Sequence, residues 1–105
     1  MAKKVLKSYK IDIPTAGTRV ALSATITSGL VNILAVKAST ANTGLIFVGG
    51  SDVAAANGYS LAAGVSQPIG MGTDGTSSME VDPTGVFFDT ATNGNDVELL
   101  LLVNG

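Results

Sequence analysis

Apolar and polar residues alternate along most of this chain with a period of two, the spacing of strands that bury one face, rather than the 3.6-residue period of helices. Tyr9, Ile11 and Ile13 alternate with Lys10 and Asp12 until Pro14 ends the run, and Val20, Leu22, Ala24 and Ile26 alternate with small residues up to the Ser28-Gly29 turn. From Val31 to Val36 both phases of the alternation are apolar, which predicts a strand buried on both faces. Asn42-Thr43-Gly44 marks a turn into a strand from Leu45 to Val48, and Gly49-Gly50 ends it at a bend or a positive φ. Val53 to Ala56 has the length of a single helical turn, capped by Ser51 or Asp52 and stopped by Asn57-Gly58.

Extended patterning resumes at Tyr59-Ser60-Leu61, turns at Gly64 and continues from Val65 to Ile69. Gly70 to Ser78 is a low-complexity stretch that reads as a flexible loop. Met79 to Val81 and Val86 to Phe88 are short strands around the turn Asp82-Pro83-Thr84-Gly85, and Asn93 to Asp96 leads into the most hydrophobic strand, Val97 to Val103. Both faces of that strand are apolar, so one is expected to meet the core and the other a second layer or another subunit. About eight short strands separated by turn signals predict an all-β fold, a β-sandwich in one domain spanning residues 11–105.

Composition adds a constraint. Of 105 residues, 46% are hydrophobic and 13% charged, roughly half the charged fraction of an ordinary soluble domain. So apolar an exterior calls for a membrane or for protein neighbours. The longest unbroken apolar run, Leu99 to Val103, is far too short for a spanning helix. No run of seven or more apolar residues follows the N-terminal lysines as in a secretory signal, so a chain made and kept in a cytoplasm is expected.

Charge is unevenly spread. Lys3, Lys4, Lys7 and Lys10 fall in the first ten residues without an acid, while Arg19 and Lys37 stand against eight acids in the remainder, leaving the body at −6. Residues 1–10 are therefore expected to form a basic arm, able to reach an acidic neighbour, a second copy of the chain or a phosphate backbone, or else to remain a solvated end.

The residues of common catalytic chemistry are missing. With no His and no Cys, the chain cannot form a Ser-His-Asp or Cys-His arrangement, and it lacks the usual ligands of zinc and haem. Glu80 with Asp82, and Asp96 with Glu98, are carboxylate pairs at i, i+2, on one face of a strand, where a solvated surface is the simpler reading than glycoside hydrolysis. Asp74 and Asp82, or Asp89 with Asn93, Asn95 and Asp96, place oxygen donors on Gly-rich loops, yet no calcium-loop spacing with a closing Glu accompanies them. Gly49-Gly50-Ser51 follows a strand but continues into no phosphate-loop motif. Tyr9 is the one aromatic among the N-terminal lysines, so specific nucleic-acid binding is not expected. No enzyme activity, cofactor or metal is assigned.

Within Ala38 to Gly64, the residues Asn42, Gly44, Ile46, Phe47, Val48 and Gly49, then Ser51 and Val53, then Gly58, Tyr59, Leu61 and Gly64, form a pattern that resembles one found in small structural proteins of tailed bacteriophages. The resemblance covers about a quarter of the chain; the Gly70–Ser78 loop and the Leu99–Leu102 run have no counterpart in it. It implies a jelly-roll-like sandwich and a virion structural role, foremost a decoration or cement protein at the capsid surface. Its partners would be the major capsid protein or other virion proteins, and it would act as a homo-oligomer, a trimer before a dimer because shells offer three-fold sockets. A tail, neck or fibre-base subunit is the alternative within the virion. A carbohydrate-binding sandwich is the alternative outside it, disfavoured by the absence of Trp and the presence of only Tyr9 and Tyr59 as tyrosines.

Overall fold

The last strand lies in the interior of one sheet, between the first strand and the third, so segments from both ends and the middle of the chain meet on it. The computed structural model describes residues 4–27, 29–68 and 80–104. Among them are nine strands: β1 (Lys4–Ile13), β2 (Val20–Ala21), β3 (Val31–Ala38), β4 (Ile46–Gly49), β5 (Tyr59–Leu61), β6 (Ser66–Pro68), β7 (Glu80–Val81), β8 (Phe87–Thr90) and β9 (Asn95–Asn104). Single 3-10 turns occupy Leu22–Ala24 and Pro83–Gly85, and no helix among the described residues is long and apolar enough to cross a membrane.

Two antiparallel sheets result, as the alternation predicts. The first runs β1-β9-β3-β6, with β7 also on β3, and the second runs β2-β8-β4-β5. The pairing is nested: β1 with β9, β2 with β8, β3 with β6 and β4 with β5. The chain thus folds as a long ribbon of paired segments doubled over on itself.

The core lies between the sheets. Ile11 and Ile13 of β1, Val31, Ile33, Val36 and Ala38 of β3, and Val97, Leu99, Leu101 and Val103 of β9 supply one side; Ile46, Leu61 and Phe88 supply the other. In β3 the register shifts between Ile33 and Ala35, a bulge at Leu34. The bulge explains the doubly apolar run Val31–Val36: the inward phase changes from odd to even positions, so Ile33 and Val36 both reach the core.

Three segments differ from expectation. The run Val20–Ile26 is a strand for two residues only and then tightens, with the amides of Thr25 and Ile26 both bonding to the Leu22 carbonyl at 3.0 and 2.9 Å. Leu22 and Ile26 are both buried, and their i, i+4 separation suits a turn of helix as well as a strand. In place of a helical turn at Val53–Ala56 there are two successive tight turns, Val53 N–H to Gly50 O at 3.0 Å and Asn57 N–H to Ala54 O at 3.1 Å, which drive Val53 into a buried site.

The third difference concerns the basic arm. Residues 4–10 lie in β1, in register with β9 from Lys4 opposite Asn104 to Ile13 opposite Asn95. Lysines on both faces of the strand conceal its alternation, but a ten-residue β9 has backbone groups on this side that need a partner. Lys3 and the Gly70–Ser78 loop lie outside the described residues.

Because Leu101 is fully buried while Leu100, one residue earlier, is 37% exposed, the two should respond in opposite ways. Leu101→Ala is expected to cost about 2–5 kcal/mol and Leu101→Asp to unfold the domain, whereas Leu100→Asp should leave stability within about 0.5 kcal/mol of the parent, as read by chemical denaturation.

Candidate interaction surface

The two sheets treat their outer faces differently. On the second sheet, Phe47 points outward but is only 5% exposed, because the turns of residues 50–58 fold over it and place Val53 there. Asp89, opposite Phe47 in register, is buried on the same face, where its carboxylate accepts the Gly17 and Thr90 amides at 2.9 and 2.8 Å. Loops of the chain itself thus cover this face.

The outer face of the first sheet is less covered among the described residues, although Asn32 on it is buried and Leu102 half-buried. Its rows follow from the register: Asp12 beside Asp96; Lys10, Glu98 and Lys37; Ser8, Leu100 and Ala35; Leu6, Leu102 and Asn32; Lys4 beside Asn104. The rows richest in leucine thus lie between charged or polar ends. Leu6 is 60% exposed, and a shallow groove of about 520 Å3 crosses the Lys10–Glu98–Lys37 and Ser8–Leu100–Ala35 rows.

At the charged end the carboxylates are held by neighbours. Glu98 accepts the Ser39 hydroxyl at 2.7 Å, and the Lys10 ammonium lies 3.9 Å from Asp96. Burial holds the Asp96 carboxyl above the usual carboxylate range, and the hydrogen bond and negative charge of Asp12 push the same way, against the pull of Lys10. Asp82 is displaced oppositely, because the Thr84 amide and hydroxyl both donate to its carboxylate. Neither proposed carboxylate pair lines an enclosed cleft: Glu80 and Asp82 are exposed, and Asp96 and Glu98 belong to this open face.

The segment Asn42–Gly64 lies elsewhere, and its residues have local structural work. Asn42 mimics a strand partner, its amide donating to the Asp96 carbonyl at 2.8 Å and its carbonyl accepting the Asp96 amide at 2.9 Å. Next to it, the buried Asn95 accepts the Thr43 amide at 3.0 Å and donates to the Thr90 and Thr92 hydroxyls at 2.8 and 2.7 Å. A Cβ at Gly44 would stand 2.8 Å from the Thr92 hydroxyl, so any side chain there would have to displace Thr92. Of the bend or positive φ expected at Gly49-Gly50, the chain makes the bend, at Gly50, and Gly49 has no positive φ; a Cβ on Gly49 would come 3.0 Å from the Val53 side chain.

Phe47 and Leu61 are buried, and Tyr59 is 57% exposed with its hydroxyl donating to Gln67 at 2.8 Å. Asp89, Asn93 and Asn95, weighed above as cation donors, direct side-chain oxygens to backbone amides: Asn93 accepts that of Ala16 at 2.8 Å, as Asp89 and Asn95 do those of Gly17 and Thr43. Asp74 is outside the described residues. The structure therefore places Lys7 and Lys10 on opposite faces of β1 and Asn42 and Gly44 in a polar cluster at the end of the sandwich, and it does not join these into one site. The cluster of Asn42, Thr90, Thr92 and Asn95 had no sequence signal, because its members converge only when the 39–45 loop meets the β8–β9 turn.

The class defined is an antiparallel two-sheet sandwich with one self-covered outer face and one that, among the described residues, exposes Leu6 and Leu100 beside charged rows. No family model, no curated protein and no solved structure matches the chain.

Two measurements check this account. Asn95→Ala removes the side-chain acceptor of the Thr43 amide and one partner of the Thr90 hydroxyl, which keeps its bond to the Thr92 carbonyl, and is expected to cost about 0.5–1.5 kcal/mol for each hydrogen bond lost, read by denaturant titration. For Asp96 the folded pKa lies above the unfolded one, so its ionised form weakens the fold and the penalty is lifted as pH falls through the folded value. Asp82 acts with the opposite sign, its contribution lost as pH drops below the ordinary value of 3.8. Asp96→Asn should therefore melt higher than the parent at neutral pH and gain less on mild acidification, as followed by thermal melts across pH.

Proposed function

We propose that the chain is a structural protein of a bacteriophage virion, a decoration or cement subunit that binds the outside of the capsid shell as a homo-oligomer and stabilises it. The observation that carries the reading is the outer face of the first sheet, where Leu6 and Leu100 are exposed, with Leu102 half-buried between them, beside a charged end. Burying exposed apolar area at roughly 25 cal/mol per Å2 is the main attraction available to such a face. The Lys10–Glu98–Lys37 row would set the orientation of a partner through charge.

Further support comes from the Asn42–Gly64 resemblance and from the nested strand pairing. With the short β7 set aside, the orders β1-β9-β3-β6 and β2-β8-β4-β5 are those of a paired ribbon rolled into a barrel-like sandwich, which favours the jelly-roll reading. The protein would be made in the host cytoplasm and reside on the virion, with the major capsid protein or other virion proteins as partners and no catalytic role.

Co-sedimentation with empty shells of the phage that carries the gene tests the reading. The parent chain should pellet with shells at high copy number, and Leu100→Asp, still folded, should lose at least about tenfold in affinity, the equivalent of 1.4 kcal/mol. A chain that never pellets with shells at any salt concentration contradicts it, and copies in multiples of three or six per particle assign it to the tail, neck or fibre base.

A further inference from the structure

We infer that β1 is a self-association edge, through which two copies of this chain join their first sheets across a two-fold axis centred on Ser8. The inference depends on strand geometry alone and is independent of the virion reading. It replaces the three-fold arrangement expected from shell sockets with a two-fold one.

The direction of the backbone groups on β1 follows from those of Asp96. The Asp96 amide bonds to Asn42 at 2.9 Å, and its carbonyl accepts the Ser39 amide at 3.2 Å and the Asn42 side chain at 2.8 Å, so both groups face away from β1. Successive residues of a strand alternate in this respect, and Asn95, Val97, Leu99, Leu101 and Val103 therefore face β1. Their partners Ile13, Ile11, Tyr9, Lys7 and Val5 face back. The Gly94 amide bonds to the Ile13 carbonyl at 3.1 Å, in agreement with this assignment.

What remains is a row of amides and carbonyls on Lys4, Leu6, Ser8, Lys10 and Asp12, aimed at the far edge of the sheet. No described strand or loop pairs with that edge, since β1 ends the order β1-β9-β3-β6. It is also a long edge. On the second sheet the edge strands β2 and β5 have two and three residues, whereas β1 has ten. An edge of this length is a template for another strand.

Charge complementarity selects the occupant. Antiparallel pairing of β1 with its copy about Ser8 places Lys4 opposite Asp12, Val5 opposite Ile11, Leu6 opposite Lys10 and Lys7 opposite Tyr9. No like charges face each other. All five edge-facing residues then enter hydrogen-bonded pairs, and the exposed Leu6 is covered by the aliphatic stem of Lys10. A two-fold centred on Lys7 or Lys10 would set that lysine against itself. One centred on Tyr9 would set Leu6 against Asp12 and leave Lys4 opposite Pro14, which has no amide to give. The strand K-V-L-K-S-Y-K-I-D is thus self-complementary about Ser8, its central residue, the register that pairs the most edge-facing residues, and the product is a continuous sheet running β3-β9-β1-β1-β9-β3 through two copies.

Lysines on an edge strand are also a common guard against pairing, and the experiment separates the two roles. Sedimentation equilibrium of the full chain at micromolar to submillimolar concentration should show a monomer–dimer equilibrium. Ser8→Pro removes an amide that faces the edge and not β9, so it should be monomeric with an unchanged thermal midpoint. Should that variant fail to fold, charge reversal decides. Asp12→Lys should weaken the dimer about tenfold or more, and adding Lys4→Asp to it should restore association. A parent chain that is monomeric throughout, or trimeric, overturns the inference, as does an Asp12→Lys variant that dimerises like the parent or is not rescued by Lys4→Asp.

Discussion

Everything in this domain is organised around β9. Its inward side chains Val97, Leu99, Leu101 and Val103 are buried to within a few per cent, and its two edges are occupied by β1 and β3, strands from the other end of the chain. A strand so apolar cannot stay in water, and its backbone groups cannot be buried unpaired. Both demands are met only when the chain doubles back along its whole length. The nested pairing of the remaining strands follows from that closure.

The same constraint explains the asymmetry of the two outer faces. Packing Leu99 and Leu101 inward turns Leu100 and Leu102 outward, because successive side chains of a strand alternate. The second sheet has loops long enough to lay Val53 over Phe47 and to bury Asp89 against the Gly17 amide. On the first sheet Leu6 and Leu100 stay exposed among the described residues, while Asn32, in the row of Leu6, is buried. Beside them the Lys10–Glu98–Lys37 row and the Asp12–Asp96 pair concentrate charge at one end of the face.

Much of the framework was legible in the period-two patterning. Tyr9–Ile13, Val31–Val36, Ile46–Val48 and Val97–Val103 all fall in strands, while the doubly apolar last strand left open which of Leu100 and Leu101 meets the core, and the structure buries Leu101. Where patterning misled, the cause was local ambiguity. Leu22 and Ile26 satisfy a turn of helix as readily as a strand, and lysines on both faces of β1 hid a strand whose existence is dictated by β9. Gly49-Gly50 ends its strand at a bend, as one of two expected outcomes, and lack of space beside Val53 is a further constraint on Gly49 that the pattern did not show. Asn42 and Gly44 were visible as residues of interest, but their bond to Asp96 and close approach to Thr92 join positions about fifty residues apart and carry no short-range signal.

The most direct test of the account is an image of the intact virion at a resolution that distinguishes subunits, with this chain located in it. The account predicts copies across the outer capsid surface with the first sheet, and Leu100 at its centre, turned toward the shell. Particles that lack the chain, or that carry it with this face turned to solvent, would contradict it.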